Sequence, residues 1–393
     1  MRTLLTALLL TSSALAAPLS ITPPTQEVQP GALVILTASE AVNWTASAGT
    51  LGSTQGTRIV LEAPRTPGTV TVTVTDPKDA TRRAFAVVTV TGPKASSTYR
   101  LPTFVAGLGF SAAIAPDGST WVWGSNEAKV NPTLALKTSP LPVRVEGLPS
   151  MTGITTHHED LTAIDTKKNA WNWGWGVPGP SVLASAADAH VDFGCALTVR
   201  SGDLYASGQQ QPLVRGTADF DAYLSFDTPS SIVVAATDGQ VHYGNDYACP
   251  ALKPIPMPEP VQKVALIGRD EFIAISATGA GYRYVAVTGT VTPLAGFNDV
   301  IDVALQGDEG VVLKKDGRVY TFRIGNDVPT IPVAVAGASD IVAISISDTH
   351  ALALRKDGTL FAAGRNQYGQ LGNGSTADSG TFVPVTGLKV KLP

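Results

Sequence analysis

The residues best equipped for chemistry in this 393-residue chain are carboxylates that recur in short acidic groups. Glu159-Asp160 follows His157-His158, Asp270-Glu271 and Asp308-Glu309 stand as doublets, and Asp348 comes just before His350. Paired carboxylates can do acid–base work on glycosides, attract cations, or ligate a metal together with imidazole. The run His157-His158-Glu159-Asp160 suits joint ligation poorly, because adjacent residues on an extended strand point to opposite faces. With five histidines and no closely spaced pair of thiols, neither a metal site nor a cofactor is expected. No phosphate-binding glycine loop, His-Glu-x-x-His run or nucleophile elbow occurs, so the chain reads as a non-enzyme.

Tryptophans and cysteines extend this inventory. Trp121 and Trp123 alternate around Val122, so both face one side of a strand, the arrangement of a packed sheet. Trp175 lies beyond the Trp173-Gly174 strand end and is the candidate for an exposed contact, to a protein or to a sugar ring. Cys195 and Cys249 are the only cysteines. They either form a disulfide, as an even count in an exported protein suggests, or pack separately as small hydrophobes.

What positions these residues is a degenerate repeat. Tight turns fall at Gly118, Lys168, Gly202, Gly239, Gly279, Gly317 and Gly358, at a mean interval of 40 residues. Asp-Gly makes four of them, and the dipeptide suits a hairpin because Gly adopts positive φ while Asp caps the backbone ahead. An apolar run precedes each turn, and an aromatic strand that often ends in Gly follows it. A repeat of this length in strand-and-turn code predicts a radial all-β architecture of four-stranded units.

The repeats resemble those of the regulator of chromosome condensation family of seven-bladed β-propellers. The last copy carries the likeness most fully, in His350-Ala351-Leu352-Ala353-Leu354, Asp357-Gly358 and the Gly364–Gly372 run Gly-x-Asn-x-x-Gly-Gln-Leu-Gly. Trp123-Gly124-Ser125-Asn126 keeps half of that ending, Tyr243-Gly244-Asn245 keeps less, and the fifth and sixth copies lose it. The resemblance implies a seven-bladed propeller over residues 101–393; because a ring must not leave an open edge, the strand-like segment Phe382–Val390 is expected to pair beside the first blade. The likeness implies a fold and not an activity.

Alignment of the copies puts Asp160, Cys195, Ser231, Glu271, Glu309 and His350 at equivalent positions, where the apolar strand begins. Glu159, Asp270 and Asp308 stand directly before, and Asp192, Asp227 and Asp348 slightly earlier in their own copies. Equivalent positions in a propeller share a face. Residues 94–393 carry 22 Lys/Arg against 27 Asp/Glu, which agrees with an acidic rim that attracts a basic partner surface. The alternative is a set of solvated carboxylates that only cap turns.

The rest of the chain sets the compartment. Residues 1–16 read as an export signal: Arg2, a leucine-rich stretch too short to span a bilayer, and Ala14-Leu15-Ala16. Residues 18–92 read as a bacterial immunoglobulin-like β-sandwich, with Trp44 as core anchor and the alternating strand Thr69–Thr75. A short linker, 93–100, follows. A net charge of −4 without a basic cluster excludes nucleic-acid binding, and export removes the chain from a cytosolic GTPase. The expectation is therefore a secreted or cell-envelope monomer without a membrane span, which binds a protein partner. A polysaccharide-binding or polysaccharide-cleaving propeller is the alternative.

Overall fold

The computed structural model describes residues 17–28, 33–64, 68–90, 99, 102–157, 159–175, 177–184, 189–191, 197–206, 209–223, 230–246, 250–325 and 328–393. The expected signal at 1–16, His158, Cys195, Cys249, Asp192 and Asp227 lie outside them. The chain divides into two units, Met1–Thr91 and Gly92–Pro393.

The first unit is a single seven-stranded sheet. Its longest strand, Leu33–Ala46, pairs with Gln55–Glu62 and then, past a register shift between Thr37 and Val42, also with Gly68–Thr75. One strand thus serves two neighbours, and its alternate residues Val34, Leu36, Val42 and Trp44 enter one core. In Gly68–Thr75 the valines are buried and the threonines face out, as the alternation requires. Trp44 is fully buried and its Nε1 donates to the Gly56 carbonyl at 2.8 Å.

The second unit is a β-propeller made of successive antiparallel sheets. The first contains Phe104–Ala106, Phe110–Ile114, Thr120–Ser125 and Thr138–Arg144. The second contains Met151–His157, Asp160–Asp165, Ala170–Gly174 and Val177–Ala184. The third has Ala189–Val191, Leu197–Arg200 and Asp203–Ala206. The fourth runs Thr217–Tyr223, Ser230–Ala236, Val241–Asp246 and Lys253–Ile255. The fifth runs Val261–Ile267, Glu271–Ser276, Gly281–Val285 and Thr290–Pro293. The sixth comprises Val300–Gln306, Glu309–Lys314, Val319–Gly325, Val328–Pro329 and Val333–Ala334. The last comprises Ile341–Ile346, His350–Arg355, Thr359–Gly364 and Ser379–Lys389.

Six of these sheets are full blades of at least four strands, which corrects the expectation of seven. In the third copy the described residues give three strands, and the outer strand shrinks to a single bridge, Leu204 to Val214.

Backbone chemistry explains the repeat. At the turns Gly118, Gly202, Gly239, Gly279, Gly317 and Gly358 all have positive φ, and Lys168 takes φ 65° where its copy lacks the glycine. The Asp117, Asp238, Asp316 and Asp357 carboxylates each accept the amide two residues on. The glycine that ends the aromatic strand has a separate cause. At Gly124, Gly174 and Gly364 a Cβ would stand 2.6 Å from the carbonyl oxygen of Gly109, Glu159 and Thr349 respectively.

Ring closure differs from expectation. Ser379–Lys389 pairs with Thr359–Gly364 in its own sheet, not with the first blade. Closure instead comes from packing between the first and last sheets. Phe104 and Trp123 share a core with Leu352, Leu360 and Leu371. Hydrogen bonds stitch the same seam: Lys391 N to Ile114 O at 2.8 Å, Thr103 Oγ1 to Lys391 O at 2.6 Å, and Trp123 Nε1 to Gln370 O at 2.8 Å.

Truncating a buried seam residue should therefore weaken the ring alone. Leu371→Ala is expected to cost about 3 kcal/mol of propeller stability, and Leu36→Ala a similar amount in the first unit only. Urea unfolding followed separately in each unit checks this, and one shared transition that both variants move would contradict it.

Candidate functional site

The acidic residues singled out in sequence sit at one type of hairpin, between the first and second strand of a sheet. Glu159 lies in the turn before Asp160, Asp270 before Glu271, Asp308 before Glu309, and Asp348 before His350. Each second strand starts there and pairs with the end of the third, so Asp160 stands opposite Gly174, Glu271 opposite Val285, Glu309 opposite Arg323 and His350 opposite Gly364. All these hairpins therefore belong to one end of the propeller. Trp175 follows Gly174, so the same pairing brings it beside Glu159 and Asp160, with its side chain 65% exposed.

The carboxylates do not share one fate. Asp270, Asp308 and Asp348 are exposed in three successive sheets. Asp270 accepts Asn245 Nδ2 at 2.5 Å. Glu271 binds Arg283 through Nε at 2.8 Å and Nη2 at 2.5 Å, and Glu309 pairs with Arg323. These arginines follow the aromatic residues Tyr282 and Phe322 by one position, in the two copies that lost the glycine ending. Asp160 and Glu159 are half-buried. Among the described residues no group of three or more His, Cys, Asp or Glu is placed to hold a metal.

His350 is a correction. It was expected on the binding rim, but only 3% of it is exposed and both ring nitrogens are engaged inside. Ser111 Oγ lies 2.7 Å from Nε2 and itself donates to the Gln370 carbonyl at 2.9 Å. The single hydroxyl proton is thus committed, so Nε2–H must donate to Ser111. Nδ1 then accepts from Thr349 Oγ1 at 3.0 Å or Ser347 Oγ at 3.1 Å. Burial pushes the imidazole down to about 3, so it is neutral and structural.

A second polar cluster escaped the sequence reading. On the first strands of sheets four, five and six, Lys263 Nζ lies 3.6 Å from Asp219 and 3.5 Å from Asp302. Asp219 also accepts Val264 N at 3.0 Å, and Asp221 accepts Leu266 N at 2.9 Å. Carboxylates of one first strand thereby satisfy amides on the unpaired edge of the next. Tyr99 donates its amide to Thr217 O at 3.0 Å and packs against Phe220 with the rings tilted by 43° and their centroids 5.0 Å apart. Burial raises Asp219 to about 6, and Asp219, then Asp302, holds the Lys263 ammonium well above the usual lysine range. The only sequence signal was the alternation of Asp219 and Asp221, which becomes meaningful once the neighbouring strand is known.

Residues 341–370 and 357–391 match family models described as the regulator of chromosome condensation (RCC1) repeat. No curated protein matches the chain. Among solved structures, yeast RCC1 (Prp20) bound to Kap60 is similar at 11% identity, covering 72% of this chain and 74% of that one, with a TM-score of 0.39. Prp20p from Saccharomyces cerevisiae, in a study of its binding to Gsp1p and histones, is 13% identical over 72% and 76%, with a TM-score of 0.39. Human WBSCR16 is 16% identical over 73% and 83%, with a TM-score of 0.40.

Two outcomes follow for the titratable groups. An unfolded chain protonates His350 near about pH 6.5 while the folded ring resists until about 3, so its contribution is complete above 6.5 and is lost as pH falls through that window. His350→Gln should remove one proton from the acid-unfolding slope, about 1.4 kcal/mol per pH unit; an unchanged slope would contradict the buried neutral ring. Lys263→Met leaves Asp219 and Asp302 without their cation. It should cost about 2 kcal/mol at pH 7, reduced by its partial exposure, and the deficit should shrink as pH falls toward 5 in thermal melts.

Proposed function

We propose that this chain is an exported, non-enzymatic binding protein that presents the acidic end of its propeller to a protein partner. The observation that carries the reading is the exposure of Asp270, Asp308 and Asp348 at equivalent hairpins of three adjacent sheets. Their equivalent positions set them along one arc, interspersed with the exposed Arg269 and Arg365, and carboxylates so placed steer basic surfaces and fix their register. Ion pairing of Glu271 and Glu309 moderates that charge without removing it.

In this reading the ring combines six full blades with a narrower three-stranded sheet at the third copy. The first unit is an immunoglobulin-like spacer, and residues 1–16 are an export signal that places the mature protein outside the cell or in its envelope. The partner class is protein, the chain acts as a monomer, and no cofactor takes part. No helix among the described residues is long and apolar enough to cross a membrane. The repeat match agrees with a scaffold for recognition, although a fold does not itself assign a ligand.

A second reading rests on Trp175. An exposed indole that follows the strand end opposite the Glu159–Asp160 hairpin can stack on a sugar ring while the Glu159 carboxylate bonds its hydroxyls; Asp160 Oδ1 is buried.

Joint replacement of Asp270, Glu271, Asp308 and Glu309 by Asn or Gln should weaken capture of a protein partner from native extracellular or envelope extract at least about tenfold, with Tm nearly unchanged. Wild-type capture should also fade at high salt. Salt-insensitive retention of polysaccharide, abolished by Trp175→Ala, would replace the protein-binding reading with the carbohydrate one.

A further inference from the structure

Every seam of the propeller needs side chains that fill the space between adjacent sheets. Five residues after the hairpin turn, on the third strand, the chain places Trp123, Trp173, Tyr284 and Phe322. Each packs into the core shared with the preceding sheet. Trp123 meets Leu352 and Leu360, Trp173 sits among the first sheet's residues, and Phe322 packs edge-on against Phe297 with centroids 4.9 Å apart. The fourth copy has Gly244 at this position, and Pro250 and Leu252 pack against it. The last copy has Ala363.

Phe361 and Phe382 pack into this seam from other positions, but the space beside Ala363 stays open. A cavity of about 310 Å³ lies between the sixth and last sheets, walled by Val311, Val335, Ala351, Ala363 and Phe382. That volume falls at the lower end of the range of about 300–1,000 Å³ typical of ligand sites. It reaches the same acidic end, since Glu309, Arg323 and Thr349 also line it and the first two have largely exposed side chains. Arg323 is engaged by Glu309, while Asp308 and Asp348, next in sequence to Glu309 and Thr349, remain exposed. Arg365, also exposed, bonds the Thr349 carbonyl through its amide, so the mouth is apolar within and is bordered by Asp308, Glu309 and Asp348 against Arg323 and Arg365, a small negative excess.

We infer that this cleft receives an aromatic side chain of the partner, flanked by lysine or arginine, which takes the place that the chain's own Trp or Phe holds at other seams. The inference rests on the protein-binding reading and adds the anchor. Shape argues for the ring, because the equivalent seams are filled by indole, phenol or phenyl groups. Charge argues for basic neighbours, because Asp308 and Asp348 border the opening. Buried aromatic anchors in such pockets commonly dominate an interface.

The test uses the full mature chain and the tripeptide Ac-Lys-Trp-Lys-NH2, followed by calorimetric titration. Binding is expected, with affinity falling at least about tenfold for Ac-Lys-Ala-Lys-NH2 and for Ac-Glu-Trp-Glu-NH2. Ala363→Trp, which refills the seam from within, should abolish binding and raise Tm. Gly380→Phe offers an independent block: it lines the cleft, and a Cβ added there meets no atom within 4 Å. No binding of Ac-Lys-Trp-Lys-NH2 at millimolar concentration, equal binding of the alanine peptide, or unaltered binding to both filled variants overturns the inference. Partner capture from extract separates the two readings. Capture unchanged in Ala363→Trp removes the cleft assignment and leaves the acidic face standing; absence of capture by the wild type removes the acidic-face reading itself.

Discussion

The structure depends on closing a ring of sheets that pack on one another through apolar faces. Among the described residues an apolar core joins every pair of adjacent sheets but the second and third, so an unclosed ring would leave two apolar faces and an unpaired edge in water. The decisive contact is the one between the first and last sheets, which the chain must make across its whole length. Ser111, Gln370 and His350 form its polar node, and Trp123 with Leu352, Leu360 and Leu371 form its apolar part. A neutral imidazole is required there: its Nε2–H must donate to Ser111 and its Nδ1 must accept. A histidine that resembles a site residue in sequence is thus a keystone in three dimensions.

The same constraint explains how the repeats drifted without losing the fold. The aromatic-Gly ending packs a ring into the seam and lets a neighbouring carbonyl approach closely at Gly124, Gly174 and Gly364. Where the glycine gave way, Val285 and Arg323 occupy the strand end, and an arginine pairs with the facing glutamate. Where the aromatic gave way at Ala363, the ring still closes, because Phe361 and Phe382 hold the remaining core. The vacated volume stays open toward the acidic end. Variation at the seam and function at the rim are consequently linked by geometry.

Edge amides impose a further demand. The first strand of each blade has one side without a ladder partner, and the chain answers with side chains from the preceding first strand. Asp219 and Asp221 do this for Val264 and Leu266, and Ser345 Oγ does it for Ala106 N at 3.0 Å. Lys263 then balances the carboxylates between three sheets. None of these pairs is close in sequence, so each exists only because the ring brings successive first strands together.

Local chemistry made much of the protein legible from its residues alone. The turn glycines, the capping aspartates, the 40-residue interval and the alternation in Thr69–Thr75 are all properties of short segments, and they determined the all-β class, the repeat and its register. They also placed the acidic hairpins and Trp175 at one end, because strand pairing is local within a blade. Tertiary structure decided the rest, since burial and partnership depend on residues far apart in the chain. It buried His350, paired Glu271 and Glu309 with arginines, reduced the third blade, kept Ser379–Lys389 in its own sheet, and left a cleft at Ala363. A sequence shows which groups a strand carries; only packing determines which of them meet water.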